Sequence, residues 1–148
     1  MEYISNSAED TFNWARLLAA EAKPGEIFCL TGDLGCGKTV FAKGFGAGLG
    51  ISAVITSPTF TLINVYDSPE QRLPMYHFDV YRIASPVEME DTGYQEYFYG
   101  NGVCLIEWAE KIIEIIPDNA TWITIEKDLS ISDEYRKISY EEQLRVTR

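Results

Sequence analysis

The sequence predicts an α/β fold in which helices cover both faces of a largely parallel central sheet. Two observations support this prediction. Short apolar runs typical of buried strands alternate with segments of helical periodicity along the 148 residues. A glycine-rich octet at 32–39 joins the first apolar run to the helix that follows it, as in strand–helix units of parallel sheets. Because no repeat, low-complexity tract or linker interrupts the pattern, we expect a single domain over residues 1–148.

A helix and a strand are predicted before the octet. Ser7 to Asp10 resembles a capping box, which marks the start of a helix, and Pro24-Gly25 marks its end. Between these points apolar residues recur near the helical period, at Phe12, Ala15, Ala19 and Ala22. The apolar run 27–30 is then predicted to be a buried strand.

A second helix is predicted after the octet, because apolar side chains recur at helical spacing at Phe41, Phe45 and Leu49. Glycines at 44, 46 and 48 lower the helical propensity of this segment. They either shorten the helix or allow another element to pack closely against it.

The rest of the chain alternates strands with shorter helical segments. Strands are predicted at 60–66, 75–80, 103–107, 122–126 and 137–140. The first two are separated by a turn at 67–70, so we expect them to form a hairpin and make the sheet mixed. Helical segments are predicted between 85 and 102 and at 112–116, and a charged tail follows the last strand.

The octet reads G-D-L-G-C-G-K-T and matches the phosphate-binding-loop pattern G-x-x-x-x-G-K-[ST]. Its glycines permit backbone conformations in which successive N–H groups face phosphate oxygens, and the helix that follows adds its positive dipole end. A glycine-rich turn without a ligand is the alternative. We expect a three-layer P-loop NTPase-type sandwich, with nucleotide bound by Asp33, Leu34, Gly35, Cys36, Gly37, Lys38 and Thr39.

Four side chains are candidates for the phosphate chemistry. Lys38 is predicted to direct its ammonium group at the β and γ phosphates, and Thr39 to ligate Mg²⁺. Such a site also needs a carboxylate at the end of a neighbouring strand, and Asp79 and Glu107 both follow apolar strands. The residues alone do not decide which one holds Mg²⁺ and which orients the attacking water. Either one alone could instead be a helix cap or a surface carboxylate.

Other residues near these motifs allow two interpretations each. Ser57-Pro58-Thr59 is either a segment that senses the γ phosphate or an ordinary turn. Trp108 either packs or acts as a lid. His77 lies between aromatic residues in a predicted strand, which favours packing over catalysis.

Composition restricts the classes of function. A net charge of −11, from 12 basic and 23 acidic residues, argues against the chain wrapping nucleic acid by itself. No apolar run approaches the roughly 20 residues of a spanning helix, and residues 1–8 lack a signal-peptide layout. Three cysteines without C-x-x-C spacing favour a reduced interior. We therefore expect a soluble, cytoplasmic protein with no membrane association.

Five motifs together resemble those of the TsaE (YjeE) family, small bacterial ATPases required for the threonylcarbamoyladenosine (t6A) modification of tRNA. They are the octet at 32–39, S-P-T-F-T-L at 57–62, Y-H-F-D-V-Y-R at 76–82, E-D-T-G-Y-Q-E-Y-F at 90–98 and L-I-E-W-A-E at 105–110. The chain departs from the family at Cys36, where Ala is usual, and at Val40, where a second Thr is frequent. Cys36 makes the loop a possible target of oxidation.

The resemblance implies ATP binding and slow hydrolysis with Mg²⁺, in partnership with TsaB and TsaD, so that tRNA is contacted only indirectly. It implies that Lys38 and Thr39 hold phosphates and metal, that Glu107 is the Mg²⁺ carboxylate, and that Asp79 assists hydrolysis. It also places part of the adenine pocket on residues 9–11. Thr59 and Trp108 would then lie in segments that couple the nucleotide state to partners.

Three other functions share the phosphate-binding loop. A small-molecule kinase normally needs several arginines around its acceptor, and only Arg72 and Arg82 lie between Lys38 and Arg136. A GTP switch would carry the N-K-x-D tetrapeptide, which this chain lacks. A module that binds ATP for docking without hydrolysing it remains open.

Overall fold

The computed structural model describes residues 1–33 and 35–142, and these residues form a mixed sheet with helices on both faces. The strands are β1 Glu2–Ser5, β2 Ile27–Thr31, β3 Ile63–Tyr66, β4 Met75–Asp79, β5 Val103–Glu107, β6 Thr121–Lys127 and β7 Arg136–Glu142. The α-helices are α1 Ala8–Ala20, α2 Lys38–Gly48 and α3 Tyr94–Phe98. Two 3₁₀ helices span Pro86–Thr92 and Ala109–Ile115.

The strand order is β1-β7-β6-β2-β5-β4-β3. The four central strands, β6, β2, β5 and β4, run parallel to one another, whereas β1, β7 and β3 pair antiparallel with their neighbours. This arrangement confirms the predicted mixed sheet with a parallel centre, including the β3–β4 hairpin. Because the central strands are parallel, their carboxyl ends meet at one edge, where ligands bind in sheets of this kind.

Two apolar clusters, one on each face of the sheet, make the molecule three-layered as predicted. One cluster joins the sheet to α1 and α2 through large side chains such as Phe41, Phe45 and Leu49. The other joins it to α3 and the 3₁₀ helices through side chains such as Met89, Phe98 and Ile112. The predicted helical periodicity therefore corresponds to the buried face of α2.

The glycines of α2 serve close packing. The helix continues to Gly48, so the glycines do not shorten it. A Cβ atom at Gly44 would overlap the backbone carbonyl of Phe12 in α1, and one at Gly48 would overlap that of Arg16. Two helices can approach this closely only where no side chain separates them, which offsets the low helical propensity of glycine.

Both ends of α1 are capped by side chains. The Ser7 hydroxyl accepts a hydrogen bond of 3.0 Å from the backbone N–H of Asp10, as the predicted capping box requires. The Asp10 carboxylate, however, accepts from Asn6, one residue before the cap. At the other end the guanidinium of Arg72 donates to the carbonyl oxygens of Ala19 and Ala22. These bonds tie the C-terminal end of α1 to the segment before β4.

Several predicted boundaries are wrong. β3 begins at Ile63 and not at 60, because residues 58–62 form a turn in which the N–H of Leu62 donates to the carbonyl of Pro58. The helical segment predicted at 112–116 is the end of a 3₁₀ helix that starts at Ala109. Strand β1 was not predicted. The charged tail, 143–148, lies outside the described residues.

We also examined the helices for membrane spans. None of those within residues 1–33 and 35–142 has the length and apolarity needed to cross a membrane.

Candidate functional site

The predicted phosphate loop connects β2 to α2 through residues 32–37, at the carboxyl edge of the sheet. Gly35 and Gly37 have φ angles of 76° and 107°, a region that disfavours side chains. A Cβ atom at Gly32 would lie 2.5 Å from the carbonyl oxygen of Ile125 in β6. The glycine pattern therefore has a steric cause in this fold. Leu34, the remaining predicted loop residue, lies outside the described residues.

Lys38 is buried in the first turn of α2, with 7% of its surface exposed. Its ammonium group donates a 2.6 Å hydrogen bond to the carbonyl of Gly32 and lies 3.3 Å from the centre of the Trp108 ring. Burial lowers the pKa of Lys38, and the nearby carboxylates of Glu107 and Asp79 oppose this shift. The side chain is thus held at the loop by one hydrogen bond and one cation–π contact.

Asp79 and Glu107 end neighbouring parallel strands and are register partners in the β4–β5 pair. Both are buried, with 6% and 4% of their surfaces exposed. This excludes the alternative that they are surface carboxylates. Both also contribute to the electrostatic environment of the Lys38 ammonium group. The structure therefore brings together the two carboxylates and the lysine that the sequence predicted.

The Asp79 carboxylate accepts three hydrogen bonds. One oxygen accepts from the hydroxyls of Ser57 at 3.2 Å and Thr59 at 3.4 Å. The other accepts from the backbone N–H of Tyr81 at 2.9 Å. Ser57 and Thr59, at the start of the turn 58–62, therefore contact a candidate catalytic residue through their hydroxyls.

The Glu107 carboxylate contacts His77, which lies on β4 two residues before Asp79. The His77 Nε2 and Glu107 Oε2 atoms are 2.6 Å apart, and both side chains are buried. The structure adds to the packing predicted for His77 a polar contact with a candidate metal ligand.

Trp108 follows Glu107 and connects several parts of the site. Its backbone has a φ of 63°, which is uncommon for a residue with a side chain, and its N–H donates to the carbonyl of Leu30 in β2. Its ring packs on Tyr81 with centroids 4.8 Å apart. Since the same ring contacts the Lys38 ammonium group, Trp108 links the end of β5 to the phosphate loop.

Two basic residues of the β6–β7 hairpin also reach the loop, and sequence reasoning missed them. Arg136 donates a 2.7 Å hydrogen bond from Nε to the carbonyl of Cys36. Lys127, its register partner across the hairpin, has its Nζ atom 3.6 Å from where a Cβ of Gly35 would lie. The signal in the sequence is a basic residue at each end of the 128–135 connection in an acidic chain.

Cys36 lies inside the loop with 1% of its surface exposed. Burial raises the pKa of its thiol, while Lys38 and Arg136 act in the opposite direction. A buried thiol with a raised pKa carries little thiolate at neutral pH and is a poor target for oxidants. The structure therefore argues against Cys36 as an oxidation target.

A cavity of about 230 Å³ opens between the start of α1, the loop and the segment before β7. Its lining includes Ser7, Ala8, Thr11, Gly37, Val40 and Arg136. The cavity thus lies next to the phosphate loop and touches the segment, 9–11, that was expected to carry part of an adenine pocket.

The oxygen donors of the site suit Mg²⁺. They are the buried carboxylates of Asp79 and Glu107 and the hydroxyl of Thr39, an exposed residue in the first turn of α2. Across the part of the chain that the structure describes, no group of three or more His, Cys, Asp or Glu side chains could hold a metal. Mg²⁺ is usually held by one or two carboxylates together with substrate phosphates and water, so this donor set fits it.

Comparison with known proteins identifies close relatives over nearly the whole chain. A family model described as threonylcarbamoyl adenosine biosynthesis protein TsaE matches residues 5–138. A protein of Bacillus subtilis named tRNA threonylcarbamoyladenosine biosynthesis protein TsaE is 48% identical over 140 residues, covering 95% of this chain and 84% of the relative. A protein of the same name from Treponema pallidum is 45% identical over 125 residues, covering 84% and 90%.

A solved structure agrees with these matches. The crystal structure of YdiB from Bacillus subtilis superimposes with a TM-score of 0.82 at 40% sequence identity. The superposition covers 97% of this chain and 86% of the other.

Proposed function

The chain belongs to the TsaE family, whose role is in the t6A modification of tRNA, and we propose that it serves this role as a Mg²⁺-dependent ATPase with slow turnover. One observation carries the proposal. The buried ammonium group of Lys38 lies at a glycine-rich loop, within the field of two buried carboxylates that end adjacent parallel strands. In this proposal Lys38 serves phosphate binding, Glu107 serves metal binding and Asp79 serves hydrolysis.

The residues of the loop divide the work of binding. Backbone N–H groups of residues 33–39 bind phosphate oxygens, and Lys38 exchanges its bond to the Gly32 carbonyl for the β and γ phosphates. Thr39 and Glu107 would hold Mg²⁺, and the bound ion would supply positive charge to the phosphate oxygens.

Asp79 orients the water that attacks the γ phosphorus. The bond between that phosphorus and the bridging oxygen breaks, ADP leaves with the bond's electron pair, and the proton of the water is released with the phosphate. The three hydrogen bonds to Asp79 fix its carboxylate for this task. Since two of them come from Ser57 and Thr59, this segment couples the γ phosphate to the surface.

The adenine base occupies the cavity beside Gly37. The cavity is bordered by the start of α1 on one side and by Arg136 on the other. A guanidinium group can both stack on a base and attract phosphates, so Arg136 contributes at the junction of the two subsites.

The proposed partners are the TsaB and TsaD proteins, acting in the cytoplasm on the adenosine next to the anticodon. A net charge of −11 would repel tRNA, so the partners make the tRNA contacts. The protein then acts on them as a switch that hydrolysis resets.

Phosphate release tests the proposal. Wild type, Lys38→Ala and Glu107→Ala are compared with and without TsaB and TsaD, with Lys23→Ala, an exposed lysine outside the site, as control. We expect slow partner-dependent release from wild type and Lys23→Ala, and at least a hundredfold less from the other two. Calorimetry that detects no binding of MgATP to folded wild type would overturn the proposal.

The same experiment separates the other functions. Turnover that needs no partner and scales with a phosphate acceptor would indicate a kinase. The structure gives the kinase little support, because Arg72 caps α1 and Arg82 packs on Phe60. Binding without hydrolysis under every condition would indicate a docking module.

A further inference from the structure

We propose that His77 is a positioning residue for Glu107: it holds one oxygen of this carboxylate so that the other is presented to Mg²⁺. This inference rests on the proposed function, because it assigns Glu107 to the metal.

The geometry of the pair is the first support. His77 and Glu107 lie on adjacent parallel strands, and their side chains meet with 2.6 Å between Nε2 and Oε2. Only 1% and 5% of the two side chains are exposed. As a metal ligand, Glu107 would accept this hydrogen bond, with the ring Nε2–H as its donor.

The second support is what the other ring nitrogen does. His77 Nδ1 is buried and, among the residues the structure describes, has no hydrogen-bond partner. A histidine kept for structure normally has both ring nitrogens satisfied, since a buried polar atom without a partner is destabilising. Because the polar contact that the described residues give this ring is with Glu107, orienting that carboxylate is its polar role in the structure.

The third support is that the Glu107 carboxylate needs a hydrogen-bond partner to fix its orientation. Within the described residues, His77 is the hydrogen-bond partner that the structure shows for Glu107. Carboxylates that hold metals are generally themselves hydrogen-bonded, because a second contact fixes the plane of the group. Asp79, by contrast, is fixed by Ser57, Thr59 and Tyr81. The two carboxylates are thus oriented by separate sets of partners.

Substitution of His77 tests the proposal by calorimetry of ATP binding over a series of MgCl₂ concentrations and in EDTA. His77→Leu removes the donor, His77→Gln keeps one, and Tyr76→Phe on the same strand is the control. We expect His77→Leu to need about 10- to 100-fold more Mg²⁺ than wild type for the same gain in ATP affinity. His77→Gln and Tyr76→Phe should stay within about threefold, and all should bind ATP equally in EDTA.

Two results would overturn the inference while leaving the proposed function intact. One is a wild-type Mg²⁺ requirement in His77→Leu, and the other is an equal loss of ATP affinity with and without Mg²⁺. If wild type itself bound no MgATP, the proposed function would fail first. Thermal melts establish which variants are folded.

A measurement on the wild-type ring covers the case in which His77→Leu does not fold. His77 is the chain's only histidine, so its ring nitrogens can be assigned directly by NMR. We expect the Nε2 resonance to shift when Mg²⁺ is added to the ATP complex, and this shift to vanish in Glu107→Gln. An Nε2 resonance that ignores Mg²⁺ would contradict the proposal.

Discussion

The ammonium group of Lys38 lies 3.3 Å from the centre of the Trp108 ring, so the lysine expected to bind phosphate is in contact with an aromatic reporter. A cation–π contact between a buried lysine and a half-buried indole is worth about 0.5–2 kcal/mol. Phosphate oxygens must attract Lys38 more strongly than the ring and the Gly32 carbonyl do. Occupancy of the site should therefore be visible in the fluorescence of Trp108.

We predict that MgATP changes the tryptophan emission of wild type and that Trp108→Phe loses most of this change. The reason is that a cation leaving an indole ring alters its excited state. Titration of MgATP, monitored by fluorescence, measures the effect. Trp14 and Trp122 remain in the variant, and an undiminished change would show that the signal comes from them and not from Trp108.

We predict that Thr59→Val lowers the rate of ATP hydrolysis by about tenfold and leaves ATP affinity within about twofold. The variant keeps the shape of the side chain and removes one of the donors that fix Asp79. Thr61→Val is the matched control, because the Thr61 hydroxyl donates to Asn64 and the residue is exposed. Equal rates in the two variants would refute a role for the hydroxyl at 59.

We predict that Arg136→Ala weakens MgATP binding by about tenfold or more, because it removes a charged hydrogen bond to the loop. Its neighbour Lys137 is the control. The Lys137 ammonium group faces Glu2 and Glu126 at the surface, where ion pairs contribute little. Calorimetry should find Lys137→Ala unchanged, and an equal effect of both variants would indicate general electrostatics.

We predict that Gly44→Ala destabilises the protein by about 1–3 kcal/mol, although alanine favours helices. The added methyl group would overlap the Phe12 carbonyl and push α1 away from α2. Urea denaturation measures the change, with Lys43→Ala at an exposed position of the same helix as control. A Gly44→Ala protein as stable as wild type would mean that the helices separate at no cost.

We predict that all three cysteines resist alkylation at pH 7.5 in the folded protein. All are buried, and burial raises the pKa of each thiol, to about 12 for Cys104. A raised pKa keeps the thiol neutral below it, so reactivity should appear only as pH rises well above neutrality. Mass spectrometry after iodoacetamide treatment, with urea-unfolded protein as control, measures this; rapid labelling of Cys36 would overturn it.

Features that depend on local backbone conformation could be predicted from the sequence. The loop needs glycine where φ is positive, so its steric requirements are readable in eight adjacent residues. The apolar runs of β2 and β5 are readable for a similar reason, because strands buried on both faces are continuously apolar.

Features that depend on strand register could not be predicted in the same way. His77 and Glu107 are 30 residues apart, and Arg136 and Cys36 are 100 apart. No local pattern states which residues of two strands face each other. β1 has only four residues and owes its place to pairing with β7, so it too left no periodic signal.

The contacts that hold the phosphate loop in place have a consequence for the synthesis of the protein on the ribosome. The loop is translated early, but the carbonyl of Ile125 beneath Gly32 and the guanidinium at Arg136 come from the last two strands. Contacts between such distant parts of a chain form slowly and late. A ribosome-bound chain stalled before β6 should therefore be unable to bind nucleotide. Nucleotide binding would then begin only after the last two strands of the sheet have been synthesised.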